Sequence, residues 1–167
     1  NLSGSAVVYI SAAAEDIPSL ELYAENPSSP TAPSATGTNA VAIGDGVSAT
    51  NTGATAIGFF TVASGVQSLA LGASADATNQ YSTAVGKTAQ AVATNANAFG
   101  KDSYSNGNQA TAIGDSYASG TDSFAAAIAN NTSSYGATGT NSVAIGKQAK
   151  ATTISAVAIG ESNSASG

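Results

Sequence analysis

The chain has 167 residues, of which 8% are charged and 43% are apolar, with four basic residues and a formal net charge of −6. So few basic residues exclude the positive patch that a nucleic-acid-binding protein needs, and the lack of Cys excludes disulfides and thiolate zinc sites. No apolar run approaches the length of about 18 residues that a membrane-spanning helix requires.

The first 37 residues do not follow the pattern of the rest of the chain. The stretches SAVVYIS at 5–11 and SLELYAE at 19–25 predict two short strands, joined by a turn at EDIP. Three of the four prolines lie in 26–37, which predicts an extended linker. We therefore expect residues 1–37 to be a strand pair with a linker that caps the following domain, or alternatively docks to another protein.

Residues 38–167 form a second domain that repeats one short unit, and we count nine copies of it. The glycine that ends the unit recurs at a constant step of fourteen positions from Gly44 to Gly114, and the same step separates Gly146 from Gly160. An alanine and then a large apolar residue precede each glycine. Clear examples of the unit are Ala42, Ile43 and Gly44; Ala56, Ile57 and Gly58; Ala70, Leu71 and Gly72; Ala84, Val85 and Gly86; Ala112, Ile113 and Gly114; and Ala158, Ile159 and Gly160.

The alternation of small and large side chains in each unit has the period of a β-strand. The step from one glycine to the next is too short for a strand and a helix, but it suffices for two short strands and two turns. Each copy therefore predicts one coil of a narrow, all-β parallel solenoid, with the glycine at a corner that requires positive φ. A second small column lies five positions after the glycine, at Ala49, Ala63, Ala77, Ala91, Ser105, Ser119, Ala151 and Ala165.

The spacing changes after Gly114. The stretch AAAIA at 125–129 fits the unit one residue late, with Ala127 in the alanine column, Ile128 in the large apolar column and Ala129 in place of the glycine. A longer coil follows through 130–140, and insertions on one face of a solenoid are often binding sites.

The large apolar column has two possible orientations, toward the interior of the roll or toward a neighbouring chain. A core made mostly of alanine buries little apolar area for each ordered residue, so an isolated roll is expected to be weakly stable. Packing against identical chains around a closed symmetry axis would bury more. We therefore expect a homo-oligomer.

The polar residues give no indication of catalysis. Without His there is no Ser–His pair. The acidic residues, such as Asp45, Asp102, Asp115 and Glu161, follow repeat glycines and belong to different coils, so we interpret them as solvated corners and not as a calcium site. The chain is therefore expected to be a non-enzyme that uses no metal and no cofactor.

The aromatic residues outside the repeat columns are Phe59, Phe60, Tyr104, Tyr117 and Tyr135. They either fill corners between coils or contact a ligand. Tyr135 lies in the longer coil, which makes it a candidate ligand-binding residue.

The AIG units with small residues at alternate positions, repeated at this constant step, resemble the head of trimeric autotransporter adhesins of the YadA type. The resemblance implies a left-handed parallel β-roll, three of which pack side by side as a homotrimer. It also implies attachment to an extracellular ligand, such as a matrix protein or a glycan, at the bacterial cell surface. NSVAIG units of that family are associated with matrix binding, which makes the matching hexamer a candidate ligand site: Asn141, Ser142, Val143, Ala144, Ile145 and Gly146.

Similar repeats also occur in bacteriophage tail fibres and other virion proteins. The alternative function is therefore a virion component, either a fibre segment or a knob on a capsid. In that case residues 1–37 would dock the chain to a virion protein.

Overall fold

The computed structural model describes residues 19–22, 31–129 and 132–166, and for 19–22 it describes the backbone alone. The strand predicted at 5–11 and the first residues of the predicted linker lie outside these ranges. The described residues form short strands and turns that wind into a parallel β-solenoid. The predicted all-β roll is confirmed.

Two ten-stranded parallel sheets form the two walls of the roll. The first sheet contains β1 (Ser19–Leu22), β3 (Ala40–Asp45), β5 (Thr55–Phe59), β7 (Leu69–Leu71), β9 (Thr83–Val85), β11 (Asn97–Phe99), β13 (Thr111–Ile113), β15 (Phe124–Ala126), β17 (Val143–Ile145) and β19 (Val157–Ile159). The second sheet contains β2 (Ser34–Ala35), β4 (Ser48–Ala49), β6 (Val62–Ala63), β8 (Asp76–Ala77), β10 (Gln90–Ala91), β12 (Tyr104–Ser105), β14 (Tyr117–Ala118), β16 (Gly136–Ala137), β18 (Lys150–Ala151) and β20 (Ser164–Ala165).

The register stacks each repeat unit on the next. Ala56 pairs with Ala42 on one side and with Ala70 on the other, and Ile57 pairs with Ile43 and Leu71 in the same way. Identical positions of successive coils therefore form straight columns along the roll.

The interior of the roll is lined by small side chains from both sheets. The central alanine of each first-sheet strand from β3 to β19 is fully buried, as are most of the small residues that end the second-sheet strands. A methyl group is the largest side chain that most of these positions hold, so the two walls approach each other closely. This confirms that the alanine columns mark the interior.

Backbone hydrogen bonds between coils support the corners. The amide of Gly72 donates to the carbonyl of Ile57 at 2.9 Å, and the amide of Gln67 donates to the carbonyl of Thr52 at 2.8 Å. Gly72 and Gln67 both have positive φ. The corner glycines also leave room for the backbone of the next coil: a Cβ on Gly86 would lie 2.5 Å from the carbonyl carbon of Gly100.

The described part of the N-terminal segment adds strands to both sheets. β1 pairs in parallel with β3, with Ser19 opposite Ala40, and β2 pairs with β4, with Ser34 opposite Ser48. Ser34–Ala35 thus joins the second sheet slightly before residue 38, where the repeats were predicted to begin. The assignment of 1–37 as a separate cap and linker stays a prediction.

The structure corrects the alignment of the coil after Gly114. Ala125 pairs with Ala112 and Ala144, so Ala125 and Ala126 occupy the two columns that were assigned to Ala127 and Ile128. In the second sheet Ala118 pairs with Ser105, so Ala118 replaces Ser119 in the small column. The coil is one residue short after Gly114, and the additional residues follow Ala126. Alignment by residue identity alone selected Ala127 and Ile128 because they resemble the Ala–Ile pairs of the other units.

Candidate functional site

The outward side of the first sheet carries two columns of mostly apolar residues, one on each side of the buried alanines. We call these columns the apolar face. Its members are Val41, Thr55, Leu69, Thr83, Asn97, Thr111, Phe124, Val143 and Val157 in one column, and Ile43, Ile57, Leu71, Val85, Phe99, Ile113, Ala126, Ile145 and Ile159 in the other.

The apolar face is accessible in the single chain. Leu71, Phe99 and Ile113 have exposed fractions of 41%, 39% and 42%, although alternate residues in the same strands are fully buried. Because side chains alternate across a strand, the buried alanine forces both of its neighbours outward. This settles the orientation of the large apolar column: it faces away from the interior. A row of mostly large apolar side chains that stay partly exposed along one wall is typical of an interaction surface.

The outward side of the second sheet presents one residue per coil, and most of these are polar. In order along the roll they are Ser34, Ser48, Val62, Asp76, Gln90, Tyr104, Tyr117, Gly136, Lys150 and Ser164. We call this row the outer column. Burial raises the pKa of the half-buried Asp76 carboxyl above its ordinary value.

Tyr104 and Tyr117 form a pair of parallel rings in the outer column. Their centroids lie 5.2 Å apart and their planes differ by 9°. Both residues are half-buried and lie on strands β12 and β14, so the expectation that they fill corners is wrong. The repeated DSY at 102–104 and 115–117 is the sequence signal for this pairing, and the assumption of a constant step between coils hides it.

The hexamer at 141–146 does not present its residues on one surface. Ser142 and Ala144 are fully buried, whereas Val143 and Ile145 belong to the apolar face. Asn141 is exposed at a corner with φ 55°, and Gly146 lies at the opposite corner. An external ligand therefore has no access to two of the six side chains, and matrix binding by the hexamer stays an untested prediction.

Ser142 belongs to this hexamer, but its side chain occupies a buried column of the roll. The equivalent Ser68 donates its hydroxyl to the carbonyl of Gly65 at 2.8 Å. The hydroxyls of Ser142 and of its neighbour Ser123 are buried, and the structure gives them no hydrogen-bond partner. Alanine occupies the same column at Ala40 and Ala54, so a small side chain is the main requirement here.

Tyr135 lies at the end of the longer coil, directly before Gly136 of the outer column. It is half-buried and packs against the interior cluster that contains Ala137 and Ala149. Part of the Tyr135 side chain therefore contacts the interior of the roll, and its role in ligand binding stays a prediction.

The acidic residues of the corners contact nearby groups of their own or adjacent coils. The Asp45 carboxylate accepts a hydrogen bond from the Thr31 amide at 2.6 Å, and Lys147 pairs with Glu161 at 3.1 Å. Hydrogen bonds from the Lys101 ammonium and the Thr88 hydroxyl hold the pKa of the exposed Asp102 carboxyl below its ordinary value. Among the residues that the structure describes, no three acidic side chains converge in a way that could hold a metal ion.

Within the described ranges, no helix has the length and apolar character needed to cross a membrane.

Comparison with known proteins identifies the repeat. The family model for the YadA head domain repeat, which spans two copies of the unit, matches residues 35–61, 49–75, 63–89, 77–103, 91–116 and 137–162. The gap between the fifth and sixth matches, 117–136, contains the additional residues that follow Ala126. No curated protein matches the chain.

Proposed function

Because the chain belongs to the YadA head family, a family of adhesin-type repeats without enzymatic activity, we propose that it is the head of a trimeric adhesin that attaches to a host or environmental surface. Three rolls pack side by side through their apolar faces, and their second sheets point outward. The head acts outside the cell, at the bacterial surface.

The apolar face is the observation that supports this proposal. It runs from Ile43 to Ile159, and Leu71, Phe99 and Ile113 keep about two fifths of their surface exposed in the single chain. Burying a large apolar side chain fully stabilises a protein by about 1.5–3 kcal/mol. Burial of the remaining exposed area in coil after coil therefore adds a large stabilisation to a roll whose own core is mostly methyl groups.

A closed arrangement follows from the position of this face. It lies along one wall and extends over the length of the roll, so the same surface of each copy can contact its neighbours around a cyclic axis. Three copies also match the assembly of heads in this family. The second sheet, with its polar outer column, then remains in contact with solvent and is available to a ligand.

Light scattering and one pair of variants test the assembly. The wild-type chain should have three times the 16.0 kDa mass of one chain. Leu71→Asp places a charge on the apolar face and should give a monomer, because a carboxylate buried without a partner is strongly destabilising. Val62→Asp is the matched control, since Asp76 already occupies the outer column one coil away, and it should remain a trimer.

A well-folded wild-type monomer would overturn the trimer. So would a trimer that survives Leu71→Asp and is lost with Val62→Asp, because the interface would then lie on the second sheet.

The virion alternative rests on the N-terminal segment. β1 is outside the repeat pattern, yet it pairs with β3 and is the terminal strand of the first sheet, so this end of the roll would be the one that contacts a virion protein. Immunogold labelling with an antibody against the roll separates the two roles. Label on the bacterial surface supports the adhesin, and label on released phage particles supports the virion component.

A further inference from the structure

We propose that Tyr104 and Tyr117 form a stacking platform for a neutral glycan on the outward side of the second sheet. This inference rests on the proposed function in one respect: the trimer leaves the second sheet facing the surrounding medium. It adds the class of ligand and the residues that contact it.

The geometry of the two rings suits a platform. A centroid distance of 5.2 Å with planes 9° apart is too short for rings lying side by side in one plane, and it is typical of an offset stack. An offset leaves part of each ring face uncovered. Both rings are held on paired strands, so little conformational freedom is lost when a ligand binds.

The roll itself does not require aromatic residues at these positions. The outer column is completed elsewhere by Ser48, Val62, Asp76 and Gln90, and the strands continue in register through all of them. The tyrosine pair is thus a local departure from a polar column on an otherwise regular wall. A structural requirement shared by all coils does not explain it.

Groups that can bind sugar hydroxyls lie in line with the rings. Gln90 precedes Tyr104 by one coil, and Asp76 precedes it by two. Successive coils are spaced by about 4.8 Å, which is close to the length of one pyranose unit in an extended glycan. A chain lying along the outer column can therefore stack one sugar on the tyrosines while the next sugars meet an amide and a carboxylate.

Charge favours a neutral glycan over an acidic one. The chain has ten acidic residues and four lysines. The outer column itself carries one charge of each sign, Asp76 two coils before the rings and Lys150 two coils after them, so the negative net charge of the chain decides. A polymer that carries carboxylates or sulfates would be repelled. The apolar C–H face of an uncharged pyranose, by contrast, packs on an aromatic ring and needs no counter-charge.

The test measures binding of neutral tetrasaccharides built from glucose, galactose, mannose or N-acetylglucosamine, by isothermal titration calorimetry on the full chain. The wild type should bind at least one of them. The double variant Tyr104→Val and Tyr117→Val should weaken that binding at least tenfold, because the sugar loses both aromatic faces on which it packs. Valine is native to the same column at Val62, so the roll should fold.

Tyr81→Asn is the control, because Tyr81 is an exposed tyrosine at a corner away from the outer column and Asn95 occupies the equivalent corner of the next coil with φ 57°. Binding to this variant should equal that of the wild type. The platform is wrong if the wild type binds none of the four sugars, or if the double variant, still folded by circular dichroism, binds as well as the wild type. Light scattering on the same samples keeps the two proposals separate. A trimer that binds no sugar overturns only the platform, and a monomer that binds sugar through the tyrosines overturns only the trimeric head.

Discussion

At the scale of single residues, the fold depends on positions where a side chain must be very small. The central alanines of the first sheet are fully buried, and the corner glycines lie against the backbone of the next coil. In the other interior columns size matters more than polarity, since Thr61 and several serines are buried among the alanines.

The corner glycines allow a matched test. A Cβ on Gly86 would meet the Gly100 backbone at 2.5 Å with φ at 136°, whereas a Cβ on Gly114 would meet nothing within 4 Å and φ is 73°. Gly86→Ala should therefore lower the free energy of unfolding by more than about 2 kcal/mol. Gly114→Ala should cost only about 1 kcal/mol, the strain of a left-handed conformation.

Thermal unfolding monitored by circular dichroism compares the two variants. Ala127 supports the milder outcome at Gly114, because it occupies the equivalent corner of the next coil with φ 56°. Equal losses of stability in both variants would show that the contact with the next coil does not determine the cost.

At the scale of single elements, the coil between β15 and β16 departs most from the repeat. Its additional residues follow Ala126, and Ile128 turns into the interior, where it is the largest fully buried side chain of the described residues. The Ile128 amide donates to the Ser116 hydroxyl at 3.1 Å. The next largest fully buried side chains, Val47 and Thr61, lie in coils of regular length, so the longer coil holds a larger side chain than the regular coils do.

Ile128 should therefore stabilise the longer coil more than any other single apolar residue in it. Ile128→Ala leaves a cavity and is expected to lower the free energy of unfolding by about 2–5 kcal/mol. Ile154→Ala is the control: Ile154 has an exposed fraction of 75%, and its removal should change stability little. Chemical denaturation of both variants measures these changes. If Ile128→Ala leaves the free energy of unfolding unchanged, the longer coil does not depend on this contact.

At the scale of the whole molecule, stability should be linked to assembly. A roll with a methyl-lined core and an exposed apolar face gains stabilisation when copies associate, so mass action raises the apparent stability with protein concentration. The midpoint of thermal unfolding should increase when the wild-type chain is concentrated from the micromolar to the hundred-micromolar range.

The same measurement on Leu71→Asp should show no dependence on concentration and a lower midpoint. A wild-type midpoint that stays constant over this range would indicate that the single roll supplies all of the stability.

The sequence by itself determined the period, the two strands per coil, the inward alanines and the glycine corners. It could do so because successive coils stack in register, so equivalent positions share the same environment. The same type of residue therefore recurs at a fixed step along the sequence. Ala42, Ala56 and Ala70, for example, meet one requirement three times.

Only the tertiary structure decided three other points. It placed the isoleucine column outside, because the narrow space between the walls admits little more than a methyl group. It assigned Ala125 and Ala126 to the columns, because hydrogen-bond register and not similarity of letters sets the alignment where the coil length changes. It brought Tyr104 and Tyr117 into one stack, since a coil shortened by one residue sets these two side chains next to each other on the same wall.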